Sequence, residues 1–171
     1  MKGGTAGAVG AVLLLAGCQL FSSAPRHAAA SLSPTRGSSV AGEVTFDQVG
    51  DRVRVDARVT GLPPNREYGF HIHEVGDCSA PDASSAKSHF NPYGKPHGLG
   101  PERHAGDLPA LKADAQGRAH LVVDLDIITL GKGPAGVVGR SVVVHARPDD
   151  YRTQPTGNTG ARVACGVIRA P

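Results

Sequence analysis

The stretch "GFHIHE", Gly69 to Glu74, decides how this chain is read, because it sets two histidines one residue apart in a run with strand character. Side chains of a strand alternate between faces, so His71 and His73 project from one side, roughly 7 Å apart along the backbone. Tyr68, Phe70 and Ile72 project from the other side. The apolar side supplies a core. The histidine side must face something that uses imidazole, and that requirement orders the remaining motifs.

Working outward, the same alternation recurs in "VAGEVTFDQ" (40–48), "RVRVDARVTG" (52–61), "RAHLVVDLDIITL" (118–130), "RSVVVHARP" (140–148) and "RVACGVI" (162–168). "VGD" (49–51) separates the first two as a hairpin turn, and "GLPPNRE" (61–67) is a turn by composition. No helical period is sustained and no repeat is evident. With 23 Gly, 13 Pro, no Trp and few other aromatics, the composition suits a turn-rich β protein. The 171 residues make one compact domain with extensions, an all-β sandwich or flattened barrel. From Val75 to Gly117 the pattern is irregular, and a loop that long inside a compact domain is functional or disordered. A net charge of +3 without a Lys/Arg block leaves no nucleic-acid groove, so no nucleic-acid partner is expected.

The N-terminus reads as a processing segment. Lys2 is a minimal positive region, and the small, apolar stretch Ala6–Gly17 is too short to span a bilayer, which takes roughly 20 residues. Its "LLAGC" ending resembles the lipobox of bacterial lipoproteins. That likeness implies a signal peptide over 1–17, with Cys18 as the lipidated first mature residue and a membrane-anchored, periplasmic protein. The alternative is an ordinary signal peptide cleaved nearby, with Cys18 lost. Residues 18–39, rich in Ser, Ala, Pro and Arg, read as a disordered tether, with the domain over 40–171. His27 falls in that tether and is given no role. Removing Cys18 leaves Cys78 and Cys165, an even pair in an exported chain. A disulfide between them would close an 87-residue loop, about 4–5 kcal/mol in the chain-entropy model; two buried free thiols are the other option.

Of eight histidines, six can meet: His71, His73, His89, His97, His104 and His145. Any one alone is most simply a hydrogen-bonded surface residue, but six in a short aromatic-poor domain suit metal ligation. His71 and His73 share a strand face and His145 ends the strand "SVVVH", so these three are rigid. His89, His97 and His104 sit in the long loop, with Asp107 three residues after the last. Three imidazoles and a carboxylate make a tetrahedral zinc set, and an all-imidazole set with an open position favours Cu(II).

The motifs "GFHIHEVGD", "HFNPYGKPHG", "RHAGDL", "VVVHARPDD" and "TGNTGARVACGVI" resemble, in order, those of copper/zinc superoxide dismutases, bacterial periplasmic members above all, and span essentially Val40 to Ile168. The resemblance implies an eight-stranded Greek-key flattened barrel, one copper and one zinc per subunit, and superoxide as substrate. It implies copper on His71, His73, His89 and His145, and zinc on His89, His97, His104 and Asp107, with His89 the shared imidazolate. The resemblance further implies that the His89 ring would take a proton in the copper cycle and make it available to the peroxide being formed. Asp149 matches the aspartate that orients one histidine of each metal, with Asp150 as its alternative. Arg162 matches the arginine that guides the anion. By the same resemblance the protein is expected to shield the envelope from external superoxide, as a monomer or a homodimer.

One departure bears on substrate capture. The loop between His145 and Arg162 is short, lacks a Lys/Glu cluster, and carries Arg147, Asp149, Asp150 and Arg152. Steering can draw on other loops, where Lys87 and Lys95 are candidates, although solvated lysines are the plainer reading. His120, on an alternating strand outside the motifs, reads as a surface residue. Two rival functions are a catalytically silent metal buffer and an adhesion-type sandwich. The first predicts a missing ligand, and the second gives no account of six histidines. A copper-only variant is disfavoured because His97 and Asp107 fill the zinc set.

Overall fold

The computed structural model describes residues 24–171, with Met1 and Gly3. The signal peptide read over 1–17 and the lipidation at Cys18 otherwise lie outside the described residues. The strands are β1 (His27–Pro34), β2 (Ala41–Val49), β3 (Arg52–Thr60), β4 (Glu67–Tyr68), β5 (Phe70–His73), β6 (Leu111–Lys112), β7 (Ala119–Leu125), β8 (Ser141–His145) and β9 (Arg162–Val167). Among the described residues there is no α-helix, only a 3-10 turn at Ser84–Ala86.

Seven strands form one curled antiparallel sheet in the order β5-β8-β9-β1-β2-β3-β7. The chain crosses between the two ends of this sheet after β3, after β5 and again after β7, the long-range wiring of a Greek key. The short pair β4–β6 ties together the segments that lead into β5 and β7, and so links the two ends. Nine strands stand in place of the eight expected, seven in the sheet and two in this ribbon, each of whose strands is two residues long and too short to leave an alternating pattern in the sequence.

β1 overturns the tether reading for residues 27–34. Ala28, Ala30 and Leu32 alternate into the core while the intervening side chains are partly or fully exposed. Residues 27–32 pair with β2, and Ser33 and Pro34 pair with β9, so this strand joins the two halves of the sheet. Alanines bury so little surface that composition hides the strand. Two hydrogen-bonding neighbours supply what hydrophobicity does not.

The interior is filled by alternate residues, among them Val44 and Phe46, Val53, Val55 and Val59, Phe70 and Ile72, and Val142 and Val144. Full burial of Phe70 and Ile72 contributes about 1.5–3 kcal/mol each. β5 and β8 are buried on both faces. Their second face, bearing His71, His73, Val143 and His145, is roofed by the segment 74–107. That segment is laid along the free edge of β5 by isolated bridges between His71 and Asp107 and between His73 and His89. Gly106 permits this approach: a Cβ there would overlap the Ile72 carbonyl, to which Phe90 N–H donates at 2.8 Å. The face of imidazoles thus looks onto a loop that carries more of them.

Candidate metal centre

The β8–β9 register slips between Val144 and His145, so that Arg162 lies opposite His145. Such a bulge re-aims the side chains at a strand end. Together with the bridges along β5, it draws His71, His73, His89 and His145 into one group whose ligand atoms lie within 4.8 Å of one another, all buried. His89, His97, His104 and Asp107 form a second group by the same measure, and His89 belongs to both.

Hydrogen bonds fix which nitrogen of each ring is free. His71 Nε2 donates to Asp149 Oδ2 at 2.6 Å, leaving Nδ1 buried without a partner. His73 Nδ1 donates to the Lys87 carbonyl at 2.8 Å, leaving Nε2 facing His145 Nε2 at 3.3 Å. The Thr159 hydroxyl donates to the Thr156 carbonyl, so at 3.1 Å it accepts from His145 Nδ1 and turns the Nε2 lone pair inward. His97 Nε2 donates to the other Asp149 oxygen at 2.8 Å, leaving Nδ1 unpartnered. His104 Nδ1 is likewise unpartnered, 3.3 Å from Asp107 Oδ1. His89 differs. Its Nδ1 lies 2.9 Å from Asp107 and its Nε2 is buried and orphaned, so no residue outside the two groups anchors either nitrogen.

Orphaned imidazole nitrogens in a dry site are costly unless a cation takes them. The donor set therefore fits two metals: four nitrogens on one side, three nitrogens and a carboxylate oxygen on the other.

Electrostatics holds the ligands in their binding forms. Burial pushes His71 and His145 below the usual imidazole range, the latter strongly, and lowers His73 to about 2 and His89 to about 4, so these rings stay neutral. Burial alone would raise Asp107, but the imidazoles of His104, His89 and His97 set against it outweigh burial and hold the carboxylate ionised. Asp149 is likewise held low against burial by His71 and His97. Between those two carboxylates His97 is the exception, raised to about 9 although burial opposes it.

Arg162 is half-buried, and its guanidinium donates to the carbonyls of Ala83 and Lys87. The Lys87 carbonyl also accepts from His73, so arginine and ligand share one acceptor. Ala83 and Lys87 have φ of 56° and 62°, a conformation that costs a non-glycine residue about 1–2 kcal/mol. That strain turns both carbonyls toward Arg162. The expected pair Cys78–Cys165 is a disulfide with Cα atoms 5.8 Å apart, tying this segment to β9. Asp149, not Asp150, is the residue between the two histidines, since Asp150 is used by Arg152 and Thr153. His120 is exposed against Asp56 and His27 against Asp47, both away from the site. Thr159, Gln154 and the Lys87 carbonyl were not found from the sequence. Only their presence in site-flanking loops pointed to them.

Fold and site define a class: an all-β metalloprotein with two adjacent, buried, histidine-built metal positions that share one ring. The family profile of copper/zinc superoxide dismutase (SODC) matches residues 40–168. Superoxide dismutase [Cu-Zn] 2 of Aquifex aeolicus (strain VF5) is 45% identical over 146 residues, covering 82% of this chain and 85% of that protein. Superoxide dismutase [Cu-Zn] of Candida glabrata is 46% identical over 144 residues, covering 78% and 92%. Among solved structures, the clock protein EA4 superposes with a TM-score of 0.79 at 43% identity, covering 87% of this chain and 97% of that one. A SOD-like protein from Bacillus subtilis gives 0.74 at 34% identity, covering 82% and 96%. The chain belongs to the copper/zinc superoxide dismutase family, an oxidoreductase family that binds one copper and one zinc.

Proposed function

We propose that the chain dismutates superoxide with copper on His71, His73, His89 and His145 and zinc on His89, His97, His104 and Asp107. The observation that carries the reading is His89, common to both groups, with each nitrogen directed at one of them. Two superoxide anions and two protons give O2 and hydrogen peroxide. When bound, copper supplies the one-electron exchange between the two anions, and zinc supplies a fixed charge that steadies the shared ring.

The chain does the rest. Lys87, Thr159 and Asp149 fix the tautomers of His73, His145 and His71, so each presents a lone pair without rearrangement. Asp149 holds one ring from each group and ties their positions together. His89, lacking any outside anchor, is the ring free to hold a proton at Nε2 for the departing peroxide. Arg162, opposite His145 and clamped by two carbonyls, offers a cation to the incoming anion.

In the cell the reading is an exported lipoprotein anchored through Cys18 that shields the envelope, acting as a monomer or homodimer. Since β1 begins at His27, eight residues separate Cys18 from the first strand. At most about 3.6 Å per residue, they hold the domain within about 30 Å of the lipid surface.

Elemental analysis alongside superoxide consumption tests the chemistry. One copper and one zinc per chain with turnover is the expected result. Stoichiometric copper without turnover makes the chain a metal buffer, and two metals without a common ligand at His89 overturn the site. Mass spectrometry of the mature N-terminus should find a lipid on Cys18; a mature chain that begins beyond it ends the anchored reading.

A further inference from the structure

A cleft of about 630 Å³ is bounded by the end of β1, the Ala80–Ser84 segment and Gly160–Arg162, with Arg162 opposite His145. Its cations are Arg36 and Arg162, and its acid is Asp82. The end of the β1–β9 pairing leads both arginines into this cleft. Ser33 pairs with Cys165 and Pro34 with Ala164, and Thr35 N–H donates to the Val163 carbonyl at 3.1 Å. The strand pairing ends there and the chain turns at Arg36 and Gly37, so Arg36 lines the same cleft as Arg162, whose partner across β8 is His145. The Thr35 hydroxyl donates to the Arg162 carbonyl at 2.8 Å, and Arg36 N–H donates to the Pro81 carbonyl at 2.7 Å, so the backbone under Arg36 is fixed.

Two cations lining one cleft repel, and Asp82 offsets part of that charge at Arg162. Asp82 is turned partly to its own chain, accepting from Ser84 N–H at 3.0 Å. Arg36 itself is exposed and makes no side-chain hydrogen bond or ion pair among the described residues. An unpaired cation in the same cleft as Arg162, which reaches Gly160 beside His145, extends the positive field outward from the metal centre. The loop after β8, by contrast, carries two acids and two arginines.

We infer that Arg36 is a second guiding cation for superoxide, collecting the anion at the outer end of this cleft and passing it to Arg162. The inference rests on the reading of Arg162 given above. Arg36 touches neither metal position, and it acts on the encounter only, through charge.

The test compares Arg36→Gln, Arg36→Lys, Arg36→Glu and Arg162→Gln in the copper- and zinc-loaded protein, measuring kcat/KM for superoxide at about 0.01 M and about 1 M salt, with metal content alongside. The Debye length falls from about 30 Å to about 3 Å over that range. One charge acting over about 10 Å of water is worth roughly a twofold change in encounter rate. Arg36→Gln should be about twofold slower at low salt and equal to wild type at high salt. Arg36→Lys should match wild type throughout, and Arg36→Glu should fall below Arg36→Gln. Equal rates for Arg36→Gln and wild type at low salt, or a deficit that persists at 1 M, overturn the role of Arg36. If Arg162→Gln also leaves rate and salt response unchanged, the reading of Arg162 fails as well.

Discussion

Gln154 grips the main chain of His97 with both ends of its carboxamide: Oε1 accepts from His97 N–H at 2.7 Å, and Nε2 donates to the His97 carbonyl at 3.0 Å. The ring of the same residue donates to Asp149. One loop, from β8 to β9, thus holds His97 by backbone and side chain alike. The 74–107 segment and the loop bearing Asp149 are locked at a single residue.

Removing the grip should loosen that residue alone. Gln154→Ala deletes both hydrogen bonds to His97 and a longer one to the Arg152 carbonyl, each worth about 0.5–1.5 kcal/mol net, at an exposed position where no cavity forms. Zinc should bind roughly tenfold more weakly, as for other residues that orient a ligand. Copper content and the stability of the metal-free protein should change little. Competition with a zinc-selective chelator reads the effect, and unchanged zinc retention refutes it.

Gly157 should be less forgiving. Its φ is +66°, and a Cβ there would enter the space of the Asp149 carboxylate and the His97 ring. Gly157→Ala carries about 1–2 kcal/mol of backbone strain and must also displace the bridge between His71 and His97. Gly50→Ala isolates the strain, since φ is +61° there and nothing lies within 4 Å of the new Cβ. Both variants should lose similar intrinsic stability, but only Gly157→Ala should lose metal. Full metallation of Gly157→Ala, measured by elemental analysis, would mean that Asp149 is not needed to hold the two groups together.

What the sequence disclosed follows a physical line. β2, β3 and β7 show alternation because one face meets the core and the other meets water. β8 reads as an unbroken apolar run because a loop covers its second face. The histidine groups are legible because residue type and strand or loop setting carry chemistry. β1 is not, since "HAAASLSP" holds little hydrophobic surface and owes its place to pairing with β2 and β9. Gln154, Thr159 and the turned carbonyls of Ala83 and Lys87 also escape. Their roles depend on contacts between distant segments, and a polar loop residue looks the same with or without them.

Arg162→Ala should keep both metals and slow the reaction, with a flatter dependence on salt. The guanidinium is no ligand, yet it shares the Lys87 carbonyl with His73. Losing it leaves that carbonyl to His73, so the copper ligand keeps its tautomer while the anion loses its nearest cation. Rates at two ionic strengths, with metal content alongside, check this. A drop in copper that accounts for the whole loss of rate would make Arg162 a support for His73 and not a guide.

The disulfide should matter twice. Cys78 and Cys165 close a loop of 87 residues, so replacing both with alanine should lower unfolding stability by roughly 2–5 kcal/mol. Cys165 also packs with Ala83, Ala86 and Val143 beneath the segment whose carbonyls hold Arg162. Freed from β9, that segment can relax its positive φ values at Ala83 and Lys87, and the guanidinium then loses its cradle. The double variant should therefore show a lower rate per bound copper under conditions where it is fully folded. Denaturant titration gives the first effect, and rate normalised to copper gives the second. A stability loss with an unchanged normalised rate would leave the cross-link a staple of the fold, without a part in positioning Arg162.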